Sequence, residues 1–263
     1  MIELGNFSLC LNVKSISKSA QFYKTLGLKV IGGKQEQGWL ILQHANCIIG
    51  LFEGHIQRNL LHFRGCDIFE TEKKLMERGL TPSTRAHIEE CEHGGDDTPS
   101  MEFIDPDSNV IYFNTAPDEP SVELNINNLP SGKPDERLGR FELCLACINL
   151  DESIYFYERL GFDLIDGNPK DEGWAILKHS NGIVALYAKS DGHMNKDMIL
   201  NFRGGDVKVI TSDLKKKRIT FTKVYKAGKN GGGSATLEDP DCNEIFFDTA
   251  PVEPVYEFNI ERI

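Results

Sequence analysis

The sequence predicts an α+β fold in which one domain occurs twice, each copy built from two βαβββ modules. Two observations carry this. Phe7-Ser8-Leu9-Cys10-Leu11 returns as Phe141-Glu142-Leu143-Cys144-Leu145, and Asp105-Pro106-Asp107 returns as Asp239-Pro240-Asp241, both at an offset of 134 residues (143 − 9 and 239 − 105). Between these anchors Gly38-Trp39 recurs as Gly173-Trp174 and Phe63-Arg64-Gly65 as Phe202-Arg203-Gly204, with the register drifting as loop insertions accumulate. A repeat this long specifies two homologous domains rather than a solenoid of short units. The expected division is 1–127, a linker at 128–138 around Leu129-Pro130-Ser131-Gly132-Lys133-Pro134, and 139–263.

Each half opens with an apolar strand. A helix follows, with Ile16, Ala20, Tyr23 and Leu26 on one face, Ser15 as N-cap and Gly27 as stop; its copy carries Leu150, Ile154, Tyr157 and Leu160 between Asn149 and Gly161. Three short strand candidates follow, the last at Cys47–Phe52 and Ile183–Tyr187. The module then restarts: a strand over Leu60–Arg64, a helix capped by Asp67 (Asp206 in the copy) after a glycine turn, and strands near Thr84, Met101–Ile104 and Val110–Asn114.

The 263 residues are 40% hydrophobic with a formal charge of −11, which disfavours a nucleic-acid partner. The one basic run, Lys215 to Arg218, reads as the solvated side of a helix. Met1 to Asn6 lack the pattern of a signal segment and no apolar run approaches the ~18 residues of a membrane span, so a cytosolic protein is expected. Seven cysteines, three of them in apolar strand segments, imply free thiols rather than structural disulfides.

The helix Ser19-Ala20-Gln21-Phe22-Tyr23-Lys24-Thr25-Leu26-Gly27, with Asp105-Pro106-Asp107-Ser108-Asn109-Val110-Ile111 much later, resembles the vicinal oxygen chelate superfamily of glyoxalases, bleomycin resistance proteins and extradiol dioxygenases. The second half repeats both motifs, at Ser153–Gly161 and Asp239–Ile245. The resemblance implies paired βαβββ modules curling a mixed sheet around a cavity, which in enzymatic members holds a divalent metal. Carried over, the family's metal-ligand positions fall on Ser8, Leu60 and Tyr112 in the first half, and on Glu142, Ile199 and Phe246 in the second. Five of these six are unsuited to a divalent ion, so no metal cofactor is expected.

Strand alternation places Ser8, Cys10, Asn12, Leu60, His62 and Arg64 on the cavity side, and in the copy Glu142, Cys144, Ala146, Ile199, Asn201 and Arg203. Arg64, Arg203, His62, Asn201, Glu142 and Asn12 are the candidate ligand contacts. An inward arginine suits a planar carboxylate. Pairing of Arg64 or Arg203 with an internal acid, Glu142 or Glu244, is the alternative, and a structural hydrogen bond is the alternative for His62. Trp39 and Trp174 are expected in the core, with a pocket mouth as the other reading. The acidic stretch around His87, Cys91 and His93 reads as a solvated loop, since the matching segment of the second half is basic and glycine-rich.

A small-molecule binder without the family metal is therefore the expected function. The alternative is a metal-dependent lyase, isomerase or extradiol-type dioxygenase with a non-standard ligand set drawn from Glu53, His55 and His62. A third reading gives Val122–Ile126 and Tyr256–Ile260 a strand-adding, scaffolding role. The duplication suggests a monomer with an intrachain pseudo-dimer, or a homodimer.

Overall fold

A computed structural model describes residues 2–89, 98–115, 138–227 and 232–249. The linker up to residue 137, the two strand-adding segments and most of the acidic stretch lie outside the described residues. The first half comprises β1 (Asn6–Asn12), α1 (Ile16–Leu26), β2 (Lys29–Lys34), β3 (Trp39–His44), β4 (Cys47–Phe52), β5 (Leu60–Arg64), α2 (Ile68–Glu77), β6 (Thr84–Glu89), β7 (Thr98–Ile104) and β8 (Val110–Asn114). The second repeats it with β9 (Gly139–Cys147), α3 (Leu150–Leu160), β10 (Asp163–Asn168), β11 (Trp174–His179), β12 (Gly182–Ala188), β13 (Met198–Gly204), α4 (Val207–Lys216), β14 (Lys223–Ala227), β15 (Gly233–Glu238) and β16 (Glu244–Thr249).

Each half is one curved, open eight-stranded mixed sheet, ordered β2-β3-β4-β1-β5-β8-β7-β6 and β10-β11-β12-β9-β13-β16-β15-β14. The modules join edge to edge where β1 runs antiparallel to β5 and β9 to β13. Gly5 and Gly139 make that junction possible. Both have positive φ, and a Cβ at either would collide with the carbonyl of Arg64 or Arg203.

Helix ends follow local chemistry. Asp67, Asn149 and Asp206 accept hydrogen bonds from the amides of Glu70, Glu152 and Val209, as N-caps do. Ser15 holds the expected N-cap position without a side-chain bond; the Glu53 carboxylate accepts the Ile16 N–H at 2.8 Å instead. Among the described residues all six cysteines are free thiols, and no helix is long and apolar enough to cross a membrane.

One sheet face in each half packs under the helices, and these two faces merge into a single core. Phe63 of the first half meets Phe162 of the second edge-on, with ring centroids 6.1 Å apart. Polar contacts across the junction come in reciprocal pairs. The Tyr23 hydroxyl donates to Asp239 and that of Tyr157 to Asp105; Ser19 donates to Asp241 and Ser153 to Asp107. The Asn46 side chain brackets the backbone N–H and C=O of Phe141, and Asn181 brackets those of Phe7. The helix and Asp-Pro-Asp motifs thus clasp the halves together. That is their observed role in this fold.

His44 and His179 close β3 and β11 at equivalent positions, and burial lowers the pKa of both below the ordinary 6.5. Where the folded pKa is lowered, the unfolded chain takes up protons first, so stability is full above 6.5 and falls as pH drops toward the folded value. Urea midpoints are accordingly expected to fall between pH 7.5 and pH 5. A His44→Gln, His179→Gln double variant should flatten that decline, and an unchanged slope would assign it to other groups.

Candidate functional site

The face of each sheet opposite the helices carries the candidate residues in cross-strand rows. In the first half the register aligns Ser8 with His62 and His62 with Tyr112. In the second it aligns Glu142 with Asn201 and Asn201 with Phe246. Level with Ser8 and Glu142 on the middle strands therefore lie His62 and Asn201, one row along from Leu60 and Ile199. These are the residues level with the flanking strands, and a two-residue slip along a strand keeps the face while changing the row.

For a neutral His62 ring the hydrogen bonds select one tautomer. Arg64 Nη1 donates to Asn114 Oδ1 at 3.0 Å, so that atom is an acceptor. His62 Nε2, 2.9 Å from the same oxygen, must then carry a proton, which leaves Nδ1 to accept from the Ser8 hydroxyl at 3.1 Å. Tyr112 lies beside the imidazole with ring centroids 5.6 Å apart. The adjacent Cys10 thiol is pushed up to about 12 by burial, against weaker opposing effects of Ser8 and Arg64, and is no nucleophile at neutral pH. Asn12 shares this face but lies two rows from His62, opposite Phe52, and its backbone N–H donates to Asn59.

In the second half Arg140 donates from Nε to Glu142 Oε1 at 2.8 Å, with a second, short contact from Nη2. Glu142 is 1% exposed and Asn201 3%; Glu142 Oε2 and Asn201 Oδ1 are buried without a hydrogen-bond partner. Arg203 pairs with Asp248, its neighbour in register. Internal pairing thus holds for Arg203, through Asp248 rather than Glu142 or Glu244, and Arg64 binds Asn114. Around this polar row Cys144, Ile176, Ile183, Ala185 and Ile199 form an apolar cluster, with Trp174, Tyr187 and Phe246 packed on it. Burial raises the Tyr187 pKa, with the nearby Cys144 and Glu142 adding to the effect, so its phenol stays neutral.

Trp39 and Trp174 are half-buried, outside the main core, and Trp174 Nε1 donates to Glu172. His55 bonds the Gln37 carbonyl and Glu53 caps α1, so neither joins His62. His87 is exposed and bonds the Arg85 carbonyl. Sequence reasoning missed Asn46 and Asn181, although His44-Ala45-Asn46 returning as His179-Ser180-Asn181 is a repeat signal of the kind that located the other motifs.

The donor chemistry does not suit a divalent metal at either row. Phe246 has no donor, Asn201 is a neutral amide, and Glu142, whose Oε1 Arg140 engages, offers a single carboxylate oxygen, too little for a divalent ion by itself. In the first half Ser8 and Tyr112 are poor neutral ligands, and both nitrogens of His62 are engaged in hydrogen bonds. Among the described residues no three His, Cys, Asp or Glu side chains group closely enough to hold an ion.

No family model matches the sequence, and no curated protein sequence matches it. Solved structures do match. Homoprotocatechuate 2,3-dioxygenase from Arthrobacter globiformis superposes with a TM-score of 0.58 at 17% identity, over 95% of this chain and 80% of that one. The Mn(II)-bound glyoxalase from Novosphingobium aromaticivorans gives 0.59 at 12%, over 96% and 83%. A mutant of 4-hydroxymandelate synthase from Streptomyces coelicolor gives 0.58 at 10%, over 95% and 93%. At such identities the likeness concerns the fold. Two eight-stranded sheets of matching topology, the repeated helix and Asp-Pro-Asp motifs, and near-complete overlap with these structures together give the chain the tandem fold of the vicinal oxygen chelate superfamily.

Proposed function

We propose that the chain binds a small organic molecule against the concave faces of its sheets without a metal, as a monomer whose halves complete one another. One observation carries the reading: the two rows that lie level across the central strands, Ser8–His62–Tyr112 and Glu142–Asn201–Phe246, keep polar groups but lack a metal-ligand set. In the first half Arg64 stands beside His62, and the chemistry of that pair suits a small carboxylate. Asn12, two rows away, is a contact for the far end of a longer ligand. Sequestration demands only shape and hydrogen bonds, which is what remains when the metal ligands are replaced.

Chelator-treated protein is expected to contain far less than one transition metal ion per chain and still to show a thermal shift with benzoate, a shift lost in Arg64→Leu. Stoichiometric metal in protein purified without chelator, or binding that requires added Mn(II) or Fe(II), would overturn the proposal in favour of a metal-dependent enzyme.

A further inference from the structure

The second half is not a copy of the first in its chemistry. From β11 to β15 the face opposite the helices carries the cations Arg140, Lys178 and Arg203 and the anions Glu142, Glu238, Glu244 and Asp248, as the register places them. Lys196 engages Glu238, and the remaining three cations and three anions include two pairs in direct contact, Arg140 with Glu142 and Arg203 with Asp248. A net charge on a ligand gains nothing from this floor, while its desolvation would still cost.

Neighbouring acceptors on this floor lack donors. Glu142 Oε2 and Asn201 Oδ1 belong to cross-strand partners, so they lie side by side, and both are buried with no hydrogen bond. Orphaned buried acceptors are rare in folded proteins, because each loses its hydration without replacement. Their surroundings are apolar and aromatic, with Trp174, Tyr187, Phe246, Ile183 and Ile199 close by.

We propose that this face of the second half takes an uncharged, flat, largely apolar molecule that presents adjacent N–H or O–H donors to Glu142 Oε2 and Asn201 Oδ1, as a primary carboxamide does. The inference rests on the metal-free binding reading above and narrows it. The first half favours a carboxylate, the second a neutral donor edge, and the duplication has yielded two sites of different selectivity.

Calorimetry on the full chain, chelator-treated, with benzamide, N,N-dimethylbenzamide and benzoate tests this. The dimethyl compound keeps the ring and carbonyl but has no donor. Benzamide is expected to bind at least about tenfold more tightly than N,N-dimethylbenzamide, since the unmet acceptors discriminate against a ligand that lacks donors. Asn201→Leu deletes one orphan acceptor at similar size; it should raise the melting temperature of the free protein, abolish the benzamide preference, and leave the benzoate response of the first half intact. Equal binding of the two amides, or a preference that survives Asn201→Leu, would overturn the assignment. Binding of benzoate alone would remove this inference and leave metal-free binding standing. Binding of none of the three would remove both. The comparison of two amides on the wild type does not depend on how the variant folds.

Discussion

Asp239→Ala is expected to lower the unfolding free energy by about 3–5 kcal/mol, and Asp105→Ala by a similar amount. The Asp239 carboxylate is 5% exposed and accepts four hydrogen bonds: from the backbone amides of Asp241 and Asn243, the Asn243 side chain, and Tyr23 of the other half. Alanine would strand the Tyr23 hydroxyl in a core where Tyr23 is fully buried, and unpin the turn that presents Asp241 to Ser19 and to the Lys14 amide. Tyr23→Phe removes only one of these bonds and should cost about 1–2 kcal/mol. A double-mutant cycle in urea checks the coupling between the two residues. A loss below about 1 kcal/mol for Asp239→Ala would mean that the apolar core alone orients the halves.

The cost is partly offset at Asp105, where burial raises the pKa against the opposing effect of hydrogen bonds from Asn109 and Tyr157. A folded pKa above the unfolded one favours folding below the ordinary carboxylate value, and that advantage is lost as pH rises through the raised value. The Asp105→Ala penalty should therefore be larger in mild acid than at neutral pH.

The fold was legible because it was written twice. Strand alternation, the helical spacing of Ile16, Ala20, Tyr23 and Leu26, and the turn motifs all rest on local geometry that each copy states independently. The candidate face was legible for the same reason: once alternation is right, Ser8, His62 and Arg64 must share a side. The row within the face was not. Which residue of β5 lies level with Ser8 depends on inter-strand register, and a slip of two residues preserves every hydrophobic-in, polar-out expectation while changing the row partner. The arginine partners were hidden for a related reason. Asp248 is next to Arg203 only because β13 and β16 run parallel in that register, and nothing in either strand alone reports it. The joining of the halves was wholly non-local, so the Asp-Pro-Asp motifs were recognised as a family signature before their contacts with the opposite helix could be seen.

Asn181→Ala is the second large effect, expected to cost about 3–5 kcal/mol. The β4 ladder first reaches β1 at Leu9, so the Phe7 backbone on that side has no strand to pair with. Asn181, 5% exposed at the turn between β11 and β12, takes the place of the missing residue: its Oδ1 accepts from Phe7 N–H at 2.9 Å and its Nδ2 donates to Phe7 C=O at 2.8 Å. Alanine leaves both backbone groups buried and unpaired. Asn181→Asp separates geometry from chemistry. It keeps the acceptor for Phe7 N–H but turns a second carboxylate oxygen against the carbonyls of Phe7 and Asn46, where Nδ2 now donates. Protonation would restore a donor there, so this variant should be destabilised at pH 7 and recover part of the loss near pH 4, whereas Asn181→Ala should show no such recovery. Parallel pH dependence of the two variants would show that the amide is filler. Recovery in the aspartate alone would establish that the first half's opening strand, which also carries Ser8 onto the candidate face, is completed by a side chain of the second half.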